Sequence, residues 1–106
     1  LESLTTELPP LADHDIRGGY ASDLLSDVLA NAPRGGLLVT IQVHLNVIAV
    51  AVHAELAGVI FASSRRPEEE VRRRAIQEGI RLYSSAESAF DVAGRLYALG
   101  LRGNHE

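Results

Sequence analysis

Residues 37–64, LLVTIQVHLNVIAVAVHAELAGVIFASS, decide the fold, because a long apolar run lies there between two shorter ones. The first run, residues 37–41, and the last, residues 59–61, have the length and composition of strands that are buried on both faces. The middle, residues 43–56, is long enough for a helix of about three turns. The stretch therefore predicts a buried strand, a buried helix and a second buried strand.

Polar residues within this stretch argue against a membrane span. Thr40, Gln42, His44 and Asn46 interrupt its first half. A helix that spans a membrane needs about 20 predominantly apolar residues in a row. We therefore expect no membrane partner.

The helix predicted at residues 43–56 is apolar nearly all round. A helix without a polar face must be covered on more than one side. The sheet covers one side, and either a neighbouring element of the same chain or a second copy covers another. The helix is therefore a candidate surface for a homodimer, the commonest closed assembly.

The rest of the chain continues the alternation of strands and helices. Residues 1–8 predict an edge strand and residues 80–83 a short inner one. The last helix has an apolar stripe that we expect to face the core, formed by Ala89, Phe90, Ala93, Leu96 and Tyr97. Such an alternation predicts an α/β fold with a mostly parallel sheet and helices on both faces. At 106 residues, the chain is expected to form a single domain over residues 1–106.

Composition excludes several classes of function. The net charge of −4 argues against nucleic-acid binding, which usually needs a basic surface. The chain has no cysteine, which excludes disulfides and thiolate chemistry. It has no lysine, which excludes a Schiff base and a Walker-type phosphate loop. Its start shows no signal-peptide pattern, so we expect a cytoplasmic protein. We also expect no cofactor.

Polar residues gather in the three loops that follow the predicted inner strands. They are Thr40, Gln42, His44, Asn46, Ser63, Ser64, Arg65, Arg66, Ser84 and Ser85. Ligands of parallel sheets bind outside the carboxyl ends of the strands, and the helix N-termini there favour anions. Arg65 and Arg66 would add bidentate contacts to a phosphate. One hypothesis is a pocket for a nucleotide or phosphorylated metabolite; the alternative is that these side chains serve the loops and the solvent.

Gly18 and Gly19 predict a tight turn that leads into a helix with Ser22 at its N-cap. Such a turn would either cradle a phosphate or only redirect the chain. Tyr20 would either stack on a base or pack in the core.

Metal binding and catalysis have weaker signals. Residues 13–15, Asp-His-Asp, are compatible with a metal, but His44, His53 and His105 have no ligand spacing with them. We therefore expect a solvated loop and no metal. Asp23 and Asp27 lie four residues apart without a partner acid or base. An enzyme would need Ser84 or Ser22 as a nucleophile beside His44, and we assign no catalytic residue.

Several segments together resemble the DRTGG domain family, over about residues 15–101. They are residues 18–28 (GGYASDLLSDV), 40–51 (TIQVHLNVIAVA), 66–68 (RPE), 78–80 (EGI), 94–97 (GRLY) and 99–100 (LG). The resemblance is greatest to the stand-alone kind found beside iron-only hydrogenase and electron-transfer genes. Residues 15–19, DIRGG, have the Asp, an Arg and both glycines of the name-giving motif but lack its Thr.

The resemblance implies a three-layer α/β/α sandwich similar to the N-terminal domain of HPr kinase/phosphorylase. It also implies a non-catalytic regulatory or ligand-sensing module with a redox or hydrogenase partner protein. A protein-interaction or oligomerisation scaffold without a ligand is the alternative, and a phosphotransfer-related enzyme is the rival class. The family has no established catalytic residues to carry over to this chain.

Overall fold

The computed structural model of the chain describes residues 1–103, apart from the side chain of Asp13. His105, one of the histidines considered above as metal ligands, therefore lies outside the described part. In chain order the elements are β1 (Glu2–Ser3), a 3-10 helix (Asp13–Asp15), β2 (Gly18–Ala21), α1 (Leu25–Asn31), β3 (Gly36–Thr40), α2 (Asn46–His53), β4 (Gly58–Phe61), α3 (Glu69–Glu78), β5 (Arg81–Ser84) and α4 (Ala89–Ala98).

The five strands form one sheet in the order β1-β5-β4-β3-β2. Strands β2 to β5 run parallel, and β1 pairs with β5 in the antiparallel sense. The predicted α/β fold with a mostly parallel sheet is thus confirmed. The predicted edge strand is confirmed too, although β1 has only two residues. No helix within residues 1–103 combines the length and the apolar character that a membrane crossing requires.

Two groups of buried side chains alternate along the strands. Leu38, Val59, Phe61 and Leu82 pack with Val28 of α1, Val47, Ile48 and Ala51 of α2, and Val71 and Ala75 of α3. Leu37, Val39, Ile60 and Ala62 pack with Val92 of α4. Successive side chains of a strand point to opposite faces of a sheet. Both faces of β3 and β4 are therefore covered, which explains why these two strands are almost entirely apolar.

Helix α2 is shorter than the predicted helix at residues 43–56, because it begins only at Asn46 and ends at His53. The backbone of Glu55 is left-handed, with φ 56°, so the helix cannot continue past it. Helices α1 and α3 both contact α2. Part of the cover that this helix requires is thus supplied within one chain, whereas Ala49 and Val52 stay exposed.

The glycines of the predicted tight turn lie in a strand instead. Gly18 and Gly19 begin β2 and pair with Gly36 and Leu37 of β3. The turn prediction was wrong because a glycine pair also suits an edge strand that another backbone approaches closely. Here the Gly19 N–H donates to the Arg102 carbonyl at 3.0 Å.

Helix α4 turns a different face to the core from the one predicted. Val92 is buried and Leu96 packs beside it, whereas Phe90 and Tyr97 are exposed. Its N-cap is Ser88, whose Oγ accepts the Asp91 N–H at 3.2 Å. The predicted inward stripe was therefore wrong at both of its aromatic residues.

Candidate functional site

The carboxyl ends of strands β3, β4 and β5 lie side by side at one end of the sheet. Thr40, Phe61 and Ser84 are register partners at these ends. Of the ten predicted site residues outside the glycine pair, Thr40 and Ser84 are the last residues of β3 and β5, Asn46 is the first residue of α2, and the other seven lie in the loops. Gly18 and Gly19 lie at the opposite end of the sheet, where β2 begins beside the start of β3. The structure therefore brings the loop residues together and leaves the two glycines apart from them.

Two open pockets contain seven of these ten residues in their lining, and Thr40, Asn46 and Ser63 line neither. The first has a volume of about 370 Å³ and is lined by Gln42, His44, Arg65, Glu68 and Glu70, among others. The second has a volume of about 410 Å³. Its polar lining consists of Glu2, Ser64, Arg66, Ser84, Ser85, Glu87 and Arg95. Both pockets mix acidic and basic side chains, so neither is a simple anion site.

The carboxyl end of β3 is closed by a carboxylate of the chain itself. The Asp23 Oδ1 accepts the Thr40 hydroxyl and the Ile41 N–H, each at 2.9 Å. The Thr40 Oγ1 in turn accepts the Gln42 N–H at 3.1 Å. Asp23 therefore takes up donors that an external anion would use. Sequence reasoning missed this role because the predicted N-cap at Ser22 puts Asp23 in the first turn of the helix. That N-cap was wrong, since α1 begins only at Leu25 and its N-cap is Leu24.

The N-terminus of α2 is closed by His44. Its Nδ1 accepts the Asn46 N–H at 3.0 Å, and its carbonyl accepts the Val47 N–H at 2.9 Å. An imidazole nitrogen that accepts carries no proton, so in the neutral ring the proton is on Nε2. His44 thus works as a helix cap, and its Nε2–H remains as an outward donor on an exposed side chain.

The loop from β4 to α3 has a strained backbone. Ser63 and Ser64 both have left-handed φ angles, 58° and 59°. Such angles cost a non-glycine residue on the order of 1 kcal/mol. The N–H groups of these serines donate to the Glu87 and Ser85 carbonyls at 2.7 and 2.8 Å, which offsets the strain. These N–H groups are therefore not available to a ligand.

The two arginines after this loop differ in their partners. Arg66 forms an ion pair with Glu2, the first residue of β1. Arg65 is exposed, and its guanidinium makes no ion pair or hydrogen bond within residues 1–103. Arg65 is thus a cation without a partner in the described chain, at the rim of the first pocket.

The serines at the end of β5 serve the fold. The Ser84 hydroxyl donates to the Arg65 carbonyl at 3.1 Å, and the Ser85 Oγ accepts the Glu87 N–H at 3.2 Å. Both residues are buried. His44 lines one pocket and Ser84 the other, and no hydrogen bond joins them in the described part of the chain. The Ser22 Oγ accepts the Leu24 N–H instead of facing a base.

Two side-chain hydrogen bonds shift the pKa of Asp27 in α1. Asn31 and Tyr20 donate to its two carboxylate oxygens at 2.9 and 2.8 Å. These hydrogen bonds, that of Asn31 first, lower the pKa of Asp27 below its ordinary value. The bond from Tyr20 also raises the pKa of the phenol. Tyr20 therefore fixes β2 to α1, in addition to any role toward a ligand.

The segment predicted as metal-compatible forms the 3-10 helix at Asp13–Asp15. The His14 Nε2 lies 3.5 Å from the Asp15 Oδ1 on exposed side chains. Within the described residues, no three histidine or carboxylate side chains gather as a metal site requires.

Comparison with models of known protein families and with curated proteins gives no match to this chain. The resemblance to the DRTGG family therefore stays a prediction from the sequence segments named above.

Proposed function

We propose that the chain is a non-catalytic, ligand-sensing module that binds a nucleotide or another phosphorylated metabolite in the first pocket. The observation that carries the proposal is Arg65, an exposed guanidinium without a partner at the rim of that pocket. Guanidinium groups bind phosphate through paired hydrogen bonds. The side-chain amide of Gln42 and the Nε2 of His44 line the same pocket and also have no partner within the described chain.

The acidic side chains of the pocket narrow the class of ligand. Glu68 and Glu70 line it together with Arg65. A bare anion would be repelled by these carboxylates, whereas a sugar phosphate would offer them hydroxyl donors. The pocket therefore favours a ligand that carries both a phosphate and hydroxyl groups, such as a nucleotide, over inorganic phosphate.

A thermal-shift experiment with AMP, ribose 5-phosphate and inorganic phosphate tests this proposal. A ligand at 100 times its dissociation constant adds about 2.7 kcal/mol of stability. We expect the sugar phosphates to raise the Tm of the wild-type chain and of Arg73→Ala, an exposed control on α3. Arg65→Ala should lose the shift. An equal shift in Arg65→Ala would contradict the site, as would the absence of a shift with every compound.

The finer identity of the module is part of the same proposal. Its sequence segments resemble the DRTGG family, which suggests a three-layer α/β/α sandwich of the kind in the N-terminal domain of HPr kinase/phosphorylase. The same resemblance suggests a redox or hydrogenase partner protein. The start of the sequence, which shows no signal-peptide pattern, suggests a cytoplasmic location. We also propose a homodimer, although not through α2, since α1 and α3 contact that helix within one chain.

A second candidate function is that of a protein-interaction scaffold without a ligand. It is favoured by the exposed aromatic side chains of α4, because large apolar groups in one exposed patch often mark an interface. The thermal-shift experiment separates the two functions, since a scaffold would show no shift with any of the compounds.

A further inference from the structure

Helix α4 exposes two aromatic side chains on its outer face, and the Arg102 guanidinium covers part of the Tyr97 ring. Phe90 is 86% exposed and Tyr97 is 60% exposed. They are seven positions apart, about two helical turns, so they lie on the same side of the helix, with Gly94 between them. A Cβ on Gly94 would meet nothing within 4 Å. No contact within the described chain therefore requires glycine here, although glycine is a poor residue for a helix interior.

The same face carries one acidic and one basic residue. With about 100° of rotation per residue, Phe90 and Tyr97 lie about 40° and 60° to one side of Gly94. Asp91 and Arg95 lie about 60° and 100° to the other side. The face thus has an aromatic flank and a charged flank, with the smallest residue at its centre.

We propose that α4 packs antiparallel against α4 of a second copy, about a two-fold axis that passes beside Gly94. The inference rests on the proposed homodimer and adds the surface that forms it. The two-fold axis lies between the helices and perpendicular to both, so each flank meets the same flank of the second copy. Without a side chain at Gly94, the helix axes can approach to about 8 Å, the close end of the usual range.

This arrangement pairs complementary groups on both flanks. With a rise of about 1.5 Å per residue, Phe90 of one copy and Tyr97 of the other copy lie within about 1.5 Å of each other along the helix axis. Asp91 of one copy and Arg95 of the other copy lie within about 3 Å of each other along the same axis. The dimer therefore gains two aromatic pairs and two ion pairs. A parallel copy would set the charged flank against the aromatic flank and desolvate Asp91 without a partner.

Two contacts within the chain hold these side chains in place before association. The Arg95 Nη1 donates to the Glu87 Oε1 at 2.8 Å, which leaves other donors of the guanidinium available. The Arg102 guanidinium lies over the Tyr97 ring, 3.6 Å from its centre. Side chains that are already ordered lose less entropy when they bind.

The size of the face predicts a weak dimer. Helix α4 has ten residues and is about 15 Å long. A contact between two helices of this length is small compared with the interfaces of stable dimers. We therefore expect association that depends on concentration in the micromolar range and above.

Analytical ultracentrifugation of the chain from 10 µM to 1 mM, a range of about two decades, tests the proposal. We expect a monomer–dimer equilibrium in the wild type. Phe90→Ala should weaken it about 100-fold, because the aromatic contact is lost twice in each dimer. Gly94→Leu should weaken it too, since the side chain separates the helices. Leu29→Ala, an exposed leucine on α1, is the control and should leave the equilibrium unchanged.

A charge exchange tests the antiparallel register. Asp91→Arg should weaken the dimer, and Asp91→Arg combined with Arg95→Glu should restore it. The chain contains no cysteine, so Gly94→Cys introduces a single thiol that should form a disulfide-linked dimer on oxidation. Arg73→Cys on α3 should not.

The outcomes separate this inference from the proposals on which it rests. A wild-type chain that stays monomeric at about 1 mM, where even a dimer with a millimolar Kd would be populated, overturns the homodimer and this surface together. A dimer that is unaffected by Phe90→Ala and by Asp91→Arg overturns the surface alone. Ligand binding is read separately, because Phe90→Ala should keep the thermal shift given by AMP.

Discussion

At the scale of single residues, Asp23 shows how a loop that resembles a binding site becomes part of the fold. Its carboxylate accepts the hydroxyl of Thr40, which is fully buried, and the N–H of Ile41. A carboxylate that precedes a helix is easily interpreted as a partner of the helix dipole. Here it closes the end of β3 instead, which removes part of the site predicted around Thr40.

The role of Asp23 is tested by two substitutions. Asp23→Ala removes the acceptor and leaves the Thr40 hydroxyl proton without a partner, which should lower the free energy of unfolding by about 1–3 kcal/mol. Asp23→Asn keeps an acceptor oxygen and should cost less than half of that. Urea denaturation measures both values. Equal losses in the two variants would show that the negative charge, not the hydrogen bonds, matters.

Two glycines that look alike in the sequence have opposite structural roles. A Cβ on Gly58 would lie 2.9 Å from the Arg81 carbonyl oxygen, which is too close for any contact. We expect Gly58→Ala to destabilise the chain by about 1–3 kcal/mol through overpacking. Gly94→Ala should stabilise it by about 0.5–1 kcal/mol, because alanine favours a helix and open space surrounds this position.

Urea denaturation at low protein concentration measures both glycine variants as monomers. The account requires opposite signs for the two changes. A destabilised Gly94→Ala variant would mean that Gly94 has a role within the monomer, which would weaken the case for a second copy at that position.

At the scale of elements, Arg72 of α3 binds the segment that contains β1, in addition to the pairing of β1 with β5. Arg72 donates to the Leu4 carbonyl at 3.2 Å and to both carboxylate oxygens of Glu7 at 2.8 and 2.9 Å. It also pairs with Glu69. Glu69 and Glu7 together raise the pKa of Arg72 above its ordinary range, so the guanidinium stays charged.

Hydrogen exchange tests this connection. The Leu82 N–H donates to the Thr5 Oγ1 at 3.1 Å, so its protection reports whether the N-terminal segment is docked. We expect Arg72→Ala to speed exchange at Leu82 several-fold through local opening. Arg73→Ala on the same helix should leave it unchanged. Unaltered protection of Leu82 in Arg72→Ala would show that the packing of Leu4 and Thr5 suffices.

The elements also show how far sequence reasoning reaches. Strands β3 and β4 and helix α2 were predictable because strands buried on both faces must be apolar throughout, and few other structures have that pattern. The start of α2 was not, because the bond from the Asn46 N–H to the His44 ring depends on the loop conformation. The face of α4 was not either, since Phe90 and Val92 are equally apolar and only packing decides which is buried.

At the scale of the whole molecule, topology brings ten of the predicted site residues to one end of the sheet and leaves Gly18 and Gly19 at the other. Most polar groups of the ten serve the chain itself. Thr40, His44, Ser84 and Ser85 all bond to loop or helix backbone. Such local bonds depend on loop geometry, which residue type alone does not specify. The site that remains is smaller than predicted and has Arg65 as its only cation without a partner in the described chain.

The molecule thus has two separate surfaces, one for each proposal. The first pocket lies beyond the ends of β3 and β4, and the aromatic face lies on the outer side of α4. They share none of the residues that carry either argument. A ligand in the pocket and a second copy on α4 would therefore bind without competing directly.

An NMR titration of the backbone amides with AMP tests the central claim most directly. We predict shifts at residues 42–45 and 65–71, which surround the pocket, in the wild type and in Arg73→Ala. The same shifts should be absent in Arg65→Ala. Shifts confined to another part of the chain, or none at millimolar AMP, would contradict the claim that this domain senses a phosphorylated ligand at Arg65.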